Sequence, residues 1–471
     1  MKEVNSQPEW IRDELHSVDL GDKRLDRRMG VVLDELSQRP QASPRAACSG
    51  YAEWMATQRF FDNDKVGAGQ VMAPHRDATL QRMAQYRRVL CLQDTSELDF
   101  SGRQEIEGAG CLENAYSQGF YLHPLVVVTE ERLCLGSLWA KFYSRAKLGL
   151  RQTCKQRPIE DKESVRWLEG YRQACAAARQ LPQTQLISVQ DAEGDIYEVL
   201  LEVQAAGQSQ GRRAEHITRA AQDRRTDSTQ GRLWAELSAS PVLGRVNLDL
   251  PKRGDRAARK LTLEVQAKEV TLRPPARPKG KQMPELKVGA VLAREVDAPP
   301  GAEPLEWLLL TSLPVGTYEE ALQVVKWYTC RWEIEIFFRV FKSGCQVERL
   351  QLKETERLLP AFALYLIIAW RLLYLTMLGR ATPELSCAAV LEEAEWKAVW
   401  AVTRKKAPPA QPPHLAEMIK LIAQLGGHKG RKGESPPGPK TMWEGLRRVF
   451  DLALAWNTFG PEVNHAYGGF V

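Results

Sequence analysis

Two short apolar runs constrain this chain more than any other feature. Val89-Leu90-Cys91-Leu92-Gln93 leads into Asp94, and Leu186-Ile187-Ser188-Val189-Gln190 leads into Asp191. Runs this short and this apolar suit strands buried on both faces of a sheet. Such strands need helices on either side, which predicts an α/β chain. Helical patterns around 162–179 and 317–345 supply the cover. Trp307-Leu308-Leu309-Leu310-Thr311 reads as a third buried strand, and PLVVVTEERLCLGSLWAKFY as a hairpin turning near Glu130 and Glu131.

In open α/β sheets, ligands gather at the carboxyl ends of the strands, where Asp94 and Asp191 are expected to stand. Two carboxylates on neighbouring strands repel one another and call for cations. Hard oxygen ligands select Mg²⁺ or Mn²⁺. Taken singly, either aspartate is more often a turn or helix cap than a metal ligand. Other chemistries find little support. The seven histidines are scattered without metal-ligand spacing, and no GxSxG, Walker A or GxGxxG motif is present. The nine cysteines are odd in number and form no C-x-x-C pair, which points to a reducing compartment rather than a disulfide framework or zinc site. Lys and Arg number 65 against 59 Asp and Glu, a mildly basic balance that permits a nucleic-acid partner without requiring one.

The strongest chemical signal is YTCRWEIEIFFRVFK at 328–342. Read as one helix, it places Tyr328, Arg331, Glu335, Arg339 and Lys342 on one stripe of an otherwise apolar rod. A surface i,i+4 pair of Arg331 and Glu335 has the same spacing. A helix apolar over most of its circumference is usually buried, however, and a buried ionic stripe is costly unless paired or bound to ions. The residues alone leave Glu97, Asp99, Asp195 and Glu333 open as alternative acids.

The length of 471 residues predicts two to four domains. The first 70 residues read as a small helical unit. In DKRLDRRMGVVLDEL, Leu25, Met29, Val32, Leu33 and Leu36 share one face, and Arg24, Arg27 and Arg28 the other. That basic face suits phosphates, or simply water. From 250 to 281, ten Lys or Arg stand against three acids, in the loops KRGDRAARK and RPPARPKGK around LTLEVQAKEVTL, which alternates like an exposed strand. This predicts a β-rich insertion with rims that contact a polyanion. Leu358–Leu378 is long enough to cross a bilayer, but Arg371 inside it and Pro360 near its start make a buried core helix the better reading. The N-terminal MKEVNSQPEW lacks the apolar core of a signal peptide. Toward the C-terminus, helices alternate with the basic, Pro/Gly-rich loops TRKKAPPAQPP and GGHKGRKGESPPGPK.

The pattern Tyr328-x2-Arg331-x3-Glu335-x6-Lys342 resembles the YREK signature of the insertion-sequence-four-type DDE transposases, and within them the Tn-five branch. LGDKRLDRR, LQDTSELDF, VQDAEGDIYEVL and WLLLTSLPV follow in the family's order, so the resemblance covers nearly the whole chain. It implies an RNase H-like catalytic core (71–365) with a β-rich insertion at about 225–305, flanked by a helical DNA-end-binding domain (1–70) and a C-terminal helical domain (366–471) for dimerisation. It selects Asp94, Asp191 and Glu335 as the catalytic, metal-holding triad, with two Mg²⁺ per site that Mn²⁺ can replace. Tyr328, Arg331 and Lys342 match phosphate-holding positions, and Trp307 the tryptophan that stacks a flipped base at the transposon end. As a strand residue, Trp307 also suits a core. Arg219 matches a basic position near the active site, and Arg24 and Arg28 match end-binding arginines.

The resemblance further implies a homodimeric cut-and-paste enzyme. It binds terminal inverted repeats, cuts through a hairpin intermediate and joins the 3′ ends to target DNA. It has no membrane or nucleotide-cofactor requirement and works in the bacterial cytoplasm at the nucleoid. The alternatives are a catalytically silent, domesticated DNA-binding protein and a carboxylate hydrolase of a small substrate. Five positions depart from the relatives: Ala192 stands where they carry a basic residue, Ile336 replaces an acid, Phe338 replaces a histidine, and Gln38 and Arg39 lie where they have Lys and Tyr. These five residues leave the triad positions filled and bear on which end sequence is recognised.

Overall fold

The computed structural model describes residues 7–102, 106–114, 116–145, 158–208, 211–250, 259–275, 283–431 and 436–461. The chain opens with helices α1 (Glu9–Glu14), α2 (Lys23–Gln38), α3 (Pro44–Ala47), α4 (Tyr51–Phe61) and α5 (Ala68–Met83). Asp22 caps α2 by accepting from the Arg24 amide at 2.9 Å, and Met29, Val32, Leu33 and Leu36 bury its apolar face. Strands β1 (Arg88–Gln93), β2 (Ser96–Asp99), β3 (Gly110–Cys111), β4 (Gln118–Val128) and β5 (Cys134–Tyr143) follow, then α6 (Val165–Gln180), β6 (Gln185–Gln190), α7 (Tyr197–Gln208) and β7 (Glu215–Arg219). After α8 (Leu233–Ser238) come the long strands β8 (Val242–Leu250), β9 (Arg259–Leu272) and β10 (Leu286–Val296), and then β11 (Glu306–Thr311).

One sheet of 11 strands runs in the order β2-β4-β1-β6-β7-β11-β10-β9-β8, with β3 and β5 both paired to β4. β1, β6 and β7 are parallel, and the other pairs are antiparallel. The mixed sheet with helices on both faces is the expected core, and β8, β9 and β10 are the expected insertion. The segment LTLEVQAKEVTL is not an exposed strand, however. As part of β9 it lies between β8 and β10 and buries Leu261, Leu263, Val265, Val270 and Leu272, because its apolar positions face helices across the sheet. The loops KRGDRAARK and RPPARPKGK fall largely outside the described residues, as does part of GGHKGRKGESPPGPK.

The two faces of β1 and β6 feed separate cores. Leu90, Leu92, Ile187 and Val189 pack with the N-terminal helices and α11, while Val89, Cys91 and Leu186 pack with α6 and the C-terminal helices. After β11 the chain is helical: α9 (Tyr318–Thr329), α10 (Trp332–Arg339), α11 (Thr355–Ala381), α12 (Glu393–Arg404), α13 (Leu415–Leu425) and α14 (Pro439–Phe459). The apolar stretch of α11 is 89% buried inside the protein. Arg371 on it donates to the Val390 carbonyl at 2.5 Å and lies 5.1 Å from the Trp10 ring, so its charge is placed at a junction of helices rather than in lipid.

His216, in the middle of β7, is wholly buried, and neither ring nitrogen has a partner among the described residues. Burial pushes its pKa from 6.5 down to about 3, so the folded protein holds it neutral. The unfolded chain takes up a proton that the folded one cannot, so stability is lost as pH falls from about 6.5 toward about 3. We expect His216→Leu to stabilise the protein by about 1–3 kcal/mol at neutral pH. The gain grows at pH 5, read as the urea midpoint at each pH.

Candidate active site

The parallel pairing of β1 and β6 puts Gln93 opposite Gln190, so Asp94 and Asp191 leave the sheet side by side at its carboxyl edge. Each carboxylate is turned by the next amide: Thr95 N–H donates to Asp94 Oδ1 at 2.8 Å and Ala192 N–H to Asp191 Oδ1 at 2.7 Å. Asp191 thereby opens a short 3-10 turn, Ala192–Gly194.

The third acid arrives on α10. A capping box of Thr317 and Glu320 starts α9, which delivers Tyr328. The expected single helix over 317–345 is interrupted. Arg331 N–H bonds to the Tyr328 carbonyl and Ile334 N–H to that of Arg331, tight bonds that end α9 and restart the chain as α10. A π-helical turn then closes Val340–Gly344. The break swings the Arg331 guanidinium, buried at 5% exposure, under the sheet edge.

There Arg331 joins all three carboxylates. Its Nη1 lies 2.9 Å from Asp94 Oδ2 and 3.7 Å from Asp191 Oδ2, and its Nη2 donates to Glu335 Oε1 at 2.9 Å. The Tyr328 hydroxyl donates to Asp191 Oδ1 at 3.4 Å, and Arg219 Nε on β7 stands 3.6 Å from the same oxygen. Burial raises the Asp94 pKa to about 6; Arg331 and the Thr95 amide pull it down, while Asp191 and Glu335 push it up.

The other acids that the residues left open point elsewhere. Glu333 is buried against Arg132 at 3.0 Å. Asp195 is held by Arg224 and by the amides of Ala221 and Gln222. Glu97 accepts from the Tyr121 hydroxyl and the Glu113 amide, and Asp99 from Ser101. Three oxygen-only side chains gathered around one cation form a donor set that fits a hard divalent ion. Among the described residues no such group stands ready-made for a metal, because the guanidinium lies between its members.

The remaining predicted residues are more scattered. Lys342 donates to the Glu97 carbonyl at 2.8 Å and pairs with Glu348 at 3.2 Å, at the rim of the site. Trp307 is not presented to solvent. It is 4% exposed, with Tyr328 and Trp332 packed edge-on against its ring at 5.4 and 6.0 Å. In the N-terminal unit the Arg24 side chain is 88% exposed beside Asp22, whereas Arg28 is partly buried and paired with Glu53. One contact had no local signal in the sequence. Arg39 at the end of α2 lies over the Phe450 ring and 4.0 Å from Asp451 on α14, tying the two ends of the chain together.

Three family models match the chain in order. One described as transposase DNA-binding covers residues 7–66, one described as transposase DDE domain covers 194–371, and one described as transposase Tn5 dimerisation domain covers 367–455. The second takes in Arg219, Trp307, Tyr328, Arg331, Glu335 and Lys342, and begins just past Asp191.

Proposed function

Because the chain belongs to the Tn5-like DDE transposases, DNA-binding, divalent-metal-dependent enzymes that act as homodimers, we propose that Asp94, Asp191 and Glu335 are its catalytic triad and that it moves a transposon by cut and paste. The observation that carries this reading is the meeting of three carboxylates, from the ends of β1 and β6 and from α10, on the Arg331 guanidinium. On this reading residues 1–70 grip the transposon end, 71–365 form the RNase H-like core, and 366–471 make the dimer contact. Leu454 and Phe459 on α14 and Val402 on α12 are large apolar side chains left exposed, which supports that contact.

The triad would hold two Mg²⁺, with Mn²⁺ as substitute. The chemistry supplied there would be a lowered pKa for an attacking hydroxyl and stabilisation of the leaving oxygen of the scissile phosphate. The chain's own residues supply the rest. Arg331 exchanges its carboxylates for a phosphate, which its planar fork can grip through two parallel bonds, while Lys342 adds a point charge. Tyr328 leaves Asp191 for the same phosphate backbone and, together with Trp332, swings off the Trp307 ring. That indole then stacks a base turned out of the duplex, offsetting part of the unstacking cost of a hairpin. Arg219 neutralises charge beside Asp191, and Arg24 and Arg28 hold end-DNA phosphates, Arg28 by leaving Glu53. Such a protein works in the cytoplasm, at the nucleoid.

The test is linear DNA carrying the element's terminal repeats, incubated with protein with and without Mg²⁺ and run on a denaturing gel. A metal-dependent hairpin at the flush end is expected. A double-strand break without a hairpin would remove the hairpin step. Binding without any cutting in Mg²⁺ or Mn²⁺ would favour the silent, domesticated binder.

A further inference from the structure

A buried arginine outside the stripe, Arg166 on α6, reaches the loops behind both aspartates. It is 6% exposed, and its side chain is taken up by protein partners. Its Nε donates to Thr95 Oγ1 at 2.9 Å, its Nη2 to Glu193 Oε2 at 2.8 Å, and its Nη1 to the Glu163 carbonyl at 3.1 Å. Thr95 is the residue whose amide turns Asp94, and Glu193 sits in the turn whose first amide turns Asp191.

The bonds beyond Thr95 run in one direction. Thr95 Oγ1 accepts from Arg166, and because the Gln93 amide oxygen facing His123 Nε2 keeps the ring proton there, Nδ1 accepts the Thr95 hydroxyl proton, 2.9 Å away. His123 Nε2–H then faces Gln93 Oε1 at 3.2 Å, and Gln93 Nε2 donates to Ser188 Oγ at 2.9 Å. The direction requires a neutral imidazole. Burial, with Arg166 and Lys141 nearby, holds His123 well below its usual pKa. The chain of bonds thus runs from α6 beneath β1 to β6, joining the strands that carry the aspartates. Gly170 lets α6 lie this close, since an added Cβ would stand 2.1 Å from Gln93 Oε1.

We infer that Arg166 is a positioning residue for the cutting reaction: through Thr95 and Glu193 it sets the spacing of Asp94 and Asp191 at which both can share divalent ions. The inference rests on the reading of Asp94 and Asp191 as metal-holding groups. Partners that orient metal ligands typically change affinity about 10–100-fold when removed.

The test compares wild type with Arg166→Met, Arg166→Lys and Glu193→Gln. Each is read by thermal unfolding, by end-DNA binding without metal, by Mn²⁺ binding to the end-bound complex in electron paramagnetic resonance, and by the Mg²⁺ concentration giving half-maximal cutting. Arg166→Met is expected to fold and bind ends, to bind Mn²⁺ about 10–100-fold more weakly, and to need correspondingly more Mg²⁺. Arg166→Lys keeps the charge and one arm, and recovers part of the loss. If Arg166→Met does not fold, Thr95→Val removes one arm and Glu193→Gln weakens the other, and each should give a smaller shift in the same direction. Folded variants whose Mn²⁺ binding and Mg²⁺ requirement equal the wild type's overturn the inference, whatever their rate. A wild type that cuts no ends and takes up no Mn²⁺ sinks the reading of the site itself, which is a different result.

Discussion

Glu335→Gln is expected to leave the protein folded and bound to its transposon ends, yet unable to cut them. Removing a residue that merely orients a ligand costs about 10–100-fold, so losing a direct ligand of a metal-assisted displacement should exceed about 10³-fold. The neutral amide keeps a hydrogen bond to Arg331, so thermal stability should barely move. Glu333→Gln is the informative contrast. Two residues away on the same helix, Glu333 faces Arg132 instead of the triad. Its replacement should leave the cutting chemistry intact and move thermal stability little, because the amide keeps a hydrogen bond to the partly exposed Arg132. Equal losses of cutting in the two variants would mean that α10 matters as a scaffold and not through Glu335.

Arg331→Gln is expected to move two quantities in opposite directions. In the protein without DNA, the guanidinium stands among Asp94, Asp191 and Glu335 and offsets their mutual repulsion. Taking it away leaves three acids facing one another, a site that binds a divalent ion more readily. The thermal midpoint of the variant should therefore climb with added Mg²⁺, as a ligand that binds only the folded state requires, while the wild type's responds little. Cutting should fall all the same, by about 100-fold or more, since a phosphate loses its fork. A variant whose midpoint ignores Mg²⁺ as the wild type's does would mean that Arg331 does not hold the place of the ions.

The sheet edge that carries Asp94 and Asp191 was legible in the sequence because Leu90, Leu92, Ile187 and Val189 need burial on one face and Val89, Cys91 and Leu186 on the other, which only a central strand provides. The spacing of Tyr328, Arg331 and Glu335 was legible too, but not the break between α9 and α10. Helical periodicity cannot see that a turn of tighter bonds re-aims a guanidinium. Glu333 and Glu335 were indistinguishable for a similar reason. What separates them is Arg132, which arrives from the hairpin turn between β4 and β5. The burial of Trp307 depends on Tyr328 and Trp332, more than twenty positions along the chain. The contact of Arg39 with α14, and the reach of Arg166 to Thr95 and Glu193, are likewise products of tertiary packing with no local signature.

The most direct test of the central claim is an anomalous difference map from crystals of the protein with a transposon end, soaked in Mn²⁺. Two peaks are expected among Asp94, Asp191 and Glu335, with the Arg331 guanidinium moved onto a backbone phosphate. A catalytically competent complex with no peak there and Arg331 still joined to its three carboxylates would contradict it.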